Sequence, residues 1–144
     1  MSEFRKIIVA VDGSGPSLRA ARAAARLADS MDISMVLLHV FPMVGNDTAG
    51  ALGLSATEIE GVAERAARKT FDEVRSELSE RGVEIEEVGR IGDIAGEIID
   101  YLADAPDLLL VMGRRGQSKV GSLLLGSVSD KVLRHTHTPV TVVS

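Results

Sequence analysis

"DLLLVMGRRGQSKVGSLLLGSVSDKV", residues 107–132, runs from an apolar stretch through four glycines into a segment of helical period. DLLLVM (107–112) is short, apolar and closed by glycine, the pattern of a strand buried on both faces. Gly113, Gly116, Gly121 and Gly126 follow, with Ser127 behind the last. Val128, Val132 and Leu133 then fall on the inner face of a helix that begins near 122–126 and ends by His137. A strand, a glycine-rich turn and a helix in that order make half of a parallel β-α-β unit.

The same alternation extends in both directions. KIIVAV (6–11), SMVLLHV (34–40) and PVTVVS (139–144) read as buried strands, and VEIEEVGR (83–90) alternates in steps of two, as an edge strand would. Pro16 suits the first turn of a helix with Leu18, Ala21, Ala25 and Ala28 on one face and Arg19, Arg22 and Arg26 on another. Residues 56–81 form a second helix, capped by Ser55 or Thr57, with Ala67, Phe71, Val74 and Leu78 inward and Gly82 as its stop. Ile94, Ile98, Tyr101, Leu102 and Ala105 mark a third, ended before Pro106. The order β-α-β-α-β-α-β-α-β predicts one α/β domain over residues 1–144, an open, mainly parallel five-stranded sheet with helices on both faces. Residues 41–55, rich in small side chains, read either as a lid over a site or as a plain connection.

Composition narrows the functions available. At 144 residues, 45% hydrophobic and 26% charged, the chain can build a sizeable core. It has no cysteine, which excludes thiolate catalysis and Cys-ligated metals. No stretch approaches the roughly 18 apolar residues of a membrane span, and the start lacks a signal-peptide pattern, so a soluble, cytoplasmic protein is expected. The formal charge of −5 argues against nucleic acid as a partner. Residues 111–137 nevertheless hold Arg114, Arg115, Lys119, Lys131 and Arg134 against Asp130 alone, a basic island on an acidic protein. That asymmetry suits a small anionic ligand.

Two predicted strand ends carry chemistry. The first leads into Asp12-Gly13-Ser14-Gly15-Pro16, the fourth into Gly113 and the glycines beyond it. In an open parallel sheet ligands bind beyond the carboxyl ends of strands, where neighbouring connections diverge. Glycine lets a ligand approach backbone N–H groups, and the start of a helix adds free donors and a positive dipole end. Gly126-Ser127 sits where the fourth helix should start, so the segment reads as a polyphosphate cradle. Neither common phosphate fingerprint fits. Gly116 to Ser122 has P-loop glycine spacing but no lysine after the second glycine, and Leu18 stands where GxGxxG needs its third.

A third pattern does fit. Gly113-x2-Gly116-x9-Gly126-Ser127 resembles the G-2x-G-9x-G-[S/T] nucleotide signature of the universal stress protein family. IIVAVDGS, DLLLVMGRRG, LLLGSVSDKVLRH and PVTVV agree with it. The resemblance covers the chain, most weakly over 41–58. It implies a Rossmann-like fold of strand order 3-2-1-4-5, ATP as ligand with Mg²⁺ or Mn²⁺ carried mainly by the phosphates, and a homodimer through the last strand, 139–144. It further implies Ala10 and Val40 at the edge of the adenine and Asp12 near the nucleoside. Met112 and Gly113 would lie under the ribose and first phosphate, and Gly116, Gly126, Ser127 and Val128 at the phosphates. Arg114 departs from the family's small hydroxyl residue and receives no role.

The function this implies is a nucleotide-responsive sensor or switch in stress response. Two alternatives stand beside it: a slow or partner-stimulated ATPase, and a nucleotide-free dimeric interaction module. No Walker-type lysine and no acidic pair tied to a γ-phosphate can be found, so no catalytic residue is assigned. His135 and His137 read as a helix C-terminus with favourable charge, His39 as a pocket wall or core residue. The Arg19, Arg22 and Arg26 face reads as solvated, since no aromatics are interleaved with it.

Overall fold

The apolar runs become the centre of a parallel sheet. The structure, a computed structural model, describes residues 3–43, 53–78, 82–114 and 125–144. Strands and helices alternate as β1 (Lys6–Ala10), α1 (Gly15–Met31), β2 (Ser34–Pro42), α2 (Ala56–Glu77), β3 (Ile85–Gly92), α3 (Ile94–Ala103), β4 (Leu108–Gly113), α4 (Ser127–His135) and β5 (Val140–Val143). The sheet order is β3-β2-β1-β4-β5, and every pairing is parallel.

Alternation along each strand sorts side chains onto two faces. Ile7, Val9, Met35, Leu37, Leu109 and Val111 meet the alanines of α1 and Phe71 and Val74 of α2. Ile8, Val36, Leu38, Leu110 and Met112 meet Ile98 and Leu102 of α3 and Val132 of α4. With helices on both faces, central strands need apolar residues at every position, which explains their unbroken runs.

The helix starts follow local chemistry. Ser14 Oγ accepts from the Ser17 N–H at the head of α1, and Pro16 occupies its first turn. Ser55 and Glu58 close a capping box on α2, satisfying two backbone donors reciprocally. Asp93 caps α3 by accepting from the Gly96 N–H at 2.9 Å.

Three expectations about extent change. The second helix ends at Glu77 instead of 81, because Leu78 leaves helical geometry (ψ 95°) and packs on the core beside Val83 and Ile85. Gly82 is therefore not its stop. Strand β2 continues past Val40, pairing Phe41 with Ile91 and Pro42 with Gly92, which shortens the irregular stretch expected at 41–55. Residues 44–52, the heart of the expected lid, lie outside the described residues. Finally, Leu133 is exposed while Val132 is fully buried, since one residue turns a helix by about 100°. Among the described residues no helix is long and apolar enough to cross a membrane.

The outer strand β3 is held to α2 by charge. Glu87 takes two short hydrogen bonds from Arg68, at 2.7 Å each, and one from Arg75 at 2.6 Å. Arg68, with Arg75 assisting, pushes the Glu87 carboxyl down from 4.5 to about 2. A depressed carboxyl contributes stability that is whole above its ordinary value and is lost as pH falls through the folded one. Unfolding followed by denaturant from pH 5 to pH 2 should thus show a loss that Glu87→Gln flattens. An unchanged acid slope in the variant would mean that other carboxylates control it.

Candidate functional site

Strands β1 and β4 are neighbours in register, Val9 beside Val111. From β1 the chain leaves through α1 on one face towards β2; from β4 it leaves through α4 on the other towards β5. Their loops diverge, and a cleft of about 400 Å³ opens between them. Ala10, Asp12, Val40, Met112, Gly113, Gly126, Ser127 and Val128 all line it. Gly116, the remaining residue expected at the site, lies outside the described residues.

The β1 loop is built around Asp12. Its Oδ1 accepts from the Ser14 N–H at 2.9 Å, while its own N–H donates to Ser17 Oγ at 3.2 Å. The Ser17 hydroxyl donates in turn to the Ser14 carbonyl at 3.1 Å. Gly13 sits at φ 83°, the left-handed region that lets the chain turn sharply there. Two serines thus fix where the carboxylate stands.

On the β4 side, Gly113 touches the head of α1. A Cβ on it would come within 2.8 Å of the Pro16 carbonyl carbon and of Pro16 Cβ. Its carbonyl accepts from the buried Ser129 hydroxyl at 2.9 Å, tying β4 to the first turn of α4. Arg114 matters through its backbone: its N–H donates to the Val143 carbonyl at 2.7 Å, and its carbonyl accepts from the Gly126 N–H at 2.8 Å. Gly126 begins α4 and has no side chain with which to cap it, so the first-turn donors receive no N-cap oxygen. A helix start left this way on a cleft wall attracts anions.

Apolar groups complete the lining: Val11, Leu38, Pro42, Ile94 and Ile98. With Ser17 and Ser129 they were not foreseen. Ser129 had a readable signal, being a hydroxyl on the inward stripe of an amphipathic helix beside Val128 and Val132. His39 also borders the cleft, stacked edge-on against Phe71 at 6.2 Å. Its Nδ1 is buried without a hydrogen-bond partner, so it is a wall residue but not a satisfied one. Burial pushes the imidazole below its ordinary value, against the pull of the Asp12 charge. His135 and His137 stand apart, bordering a different cavity with Phe4, Pro106 and Pro139. Among the described residues no cluster of three His, Cys, Asp or Glu side chains could hold a metal ion.

Residues 3–144 match the universal stress protein family. The chain belongs to that family. The universal stress protein YxiE of Bacillus subtilis is similar to it, 31% identical across 97% of this chain and 99% of its own length. Solved universal stress proteins share the fold. Protein MJ0577 superposes with a TM-score of 0.77 at 21% identity, covering 99% of this chain and 96% of its own. The universal stress protein from Archaeoglobus fulgidus in complex with dAMP gives 0.71 at 22% identity, covering 99% and 100%.

The close approach at Gly113 has a measurable cost. Gly113→Ala should lower unfolding free energy by about 1–3 kcal/mol, because the atoms it would strike all belong to a proline held by its own helix. Gly126→Ala, at φ −64°, should cost only a few tenths. Urea titration of the two variants separates these outcomes, and equal losses would show that the Pro16 contact sets no limit.

Proposed function

We propose that the cleft binds an adenine nucleotide, with ATP as the working ligand, and that the protein acts as a nucleotide-responsive switch in stress response. One observation carries this: eight positions of the signature and its surroundings converge on a single cleft with apolar walls and an uncapped helix start. Apolar walls suit a purine, and helix-terminal N–H groups suit phosphate. The dAMP complex of the Archaeoglobus fulgidus relative supports the same ligand class.

Ala10 and Val40 would edge the adenine and Asp12 would face the nucleoside. Met112 and Gly113 would underlie the ribose and first phosphate, with Gly116, Gly126, Ser127 and Val128 at the phosphates. Mg²⁺ or Mn²⁺ fits as an ion carried by the phosphates, since Asp12 is the one carboxylate among the described lining residues. Bound there, it would neutralise phosphate charge. The same lining offers one imidazole, and its Nδ1 is buried. This favours holding ATP over hydrolysing it; slow or partner-stimulated turnover is the alternative. The edge strand β5, with Val140, Val142 and Val143 half-buried, supports pairing of two copies along 139–144. A nucleotide-free dimeric module is the third reading. A cytoplasmic setting goes with an ATP-responsive switch.

Calorimetric titration of nucleotide-stripped protein with ATP, with and without Mg²⁺, tests the proposal. Wild type should bind saturably, and Gly126→Val should weaken binding by about tenfold or more while remaining folded, because a branched Cβ hinders phosphate from reaching the helix start. Absence of wild-type binding to ATP, ADP and AMP would overturn it and favour the interaction module.

A further inference from the structure

The helix that faces the cleft carries a cation with an exchangeable partner. Lys131 follows Ser127 by one turn of α4, and its ammonium meets Asp93 Oδ2 at 3.1 Å, joining α4 to the head of α3. Ile94, next to Asp93, and Val128, three residues before Lys131 and so on its side of α4, both line the cleft, and the pair stands at its rim. The two partners are held very differently. Asp93 is fixed by the Gly96 N–H, which with Lys131 keeps its carboxyl below the usual range. Among the described residues Lys131 is held by that carboxylate alone, on a flexible four-carbon stem.

Both side chains are more than half exposed, 51% for the lysine and 59% for the aspartate, so the pair contributes little to stability and is cheap to exchange. Helical side chains lean towards the N-terminus, which turns the Lys131 stem back over the turn containing Ser127 and Val128. The next cation along α4, Arg134, is occupied by Asp130 at 2.9 Å. Lys131 is therefore the α4 cation nearest the start of the helix.

We propose that Lys131 is a specificity-determining residue of the cleft, exchanging the Asp93 carboxylate for the outermost phosphate of a bound nucleotide and so favouring ATP and ADP over AMP. This rests on the nucleotide reading of the cleft. Asp93 then acts as a competitor: it holds the ammonium in the free protein and opposes its transfer to the ligand. A point charge of this kind selects for length and charge of the phosphate chain and leaves the nucleoside contacts untouched.

Calorimetric titration of the full chain with ATP, ADP and AMP tests it on wild type, Lys131→Met, Lys131→Arg and Asp93→Asn, with circular dichroism confirming the fold of each. Asparagine caps a helix as well as aspartate, so Asp93→Asn removes the charge and keeps the cap. Lys131→Met should weaken ATP by about tenfold and leave AMP within about twofold, and Lys131→Arg should restore ATP. Asp93→Asn should tighten ATP by a few-fold, about the effect of removing a competing surface charge. Equal weakening of ATP and AMP by Lys131→Met, no change in either, or weaker ATP binding in Asp93→Asn would overturn the Lys131 assignment while wild-type binding upheld the cleft. Absence of wild-type binding to all three nucleotides would overturn both.

Discussion

Gly113 lies so close to Pro16 that the glycine has no room for a Cβ. This contact fixes the end of β4 against the head of α1, two elements nearly a hundred residues apart in the chain. The remaining ties radiate from it. The Ser129 hydroxyl reaches the Gly113 carbonyl, and the next residue, Arg114, bonds β5 through its N–H and α4 through its carbonyl. Four elements thus meet around two consecutive residues. The cleft is the space left beside that junction, closed in by the apolar side chains of β1, β2 and α3. A ligand that enters finds donors already in position, which reduces the ordering cost of binding.

Much of this was legible beforehand because strands buried on both faces leave so little freedom of sequence. Ile7 to Val9, Met35 to Leu38 and Leu108 to Met112 are apolar at every step, and only a central parallel strand demands that. The convergence of Asp12 with Gly113 and Gly126 followed from topology once β1 and β4 were neighbours. What escaped was decided by contacts between elements. Leu78 keeps helical period in the sequence yet leaves the helix to pack on the core. Leu133 looks inward by composition, but α4 buries Ser129 and Val132, with Val128 partly buried beside them. Ser17 and Ser129 escaped for a related reason: even where the stripe of a helix shows that a serine faces inward, as for Ser129, the carbonyl that its hydroxyl meets is not visible in the sequence.

The cleft also holds a tension between its chemistry and its packing. His39 and Asp12 stand near enough for the Asp12 charge to pull the imidazole's pKa up, yet burial outweighs it and pushes the pKa below its ordinary value. A polar atom left unpaired inside a core costs stability, and such groups persist where something other than stability sustains them. Around Asp12 the opposite holds, with each serine oxygen and backbone donor matched to a neighbour. The two walls of the cleft are thus unequal, one settled by hydrogen bonds and one retaining an unsatisfied nitrogen.

The sheet ends differently on its two sides. Along β3 the flanking arginines Arg68 and Arg75 close over Glu87, and Glu86 meets Lys6, so charge lines that border. Along β5 the border is made of valines and a threonine. The two borders of one sheet therefore differ in chemistry. Paired charge along an edge offers another sheet no apolar strand to extend, whereas a bare edge carries no such barrier. The charge on β3 is thus negative selection written into an edge: it disfavours strand addition on that side without altering a single core contact.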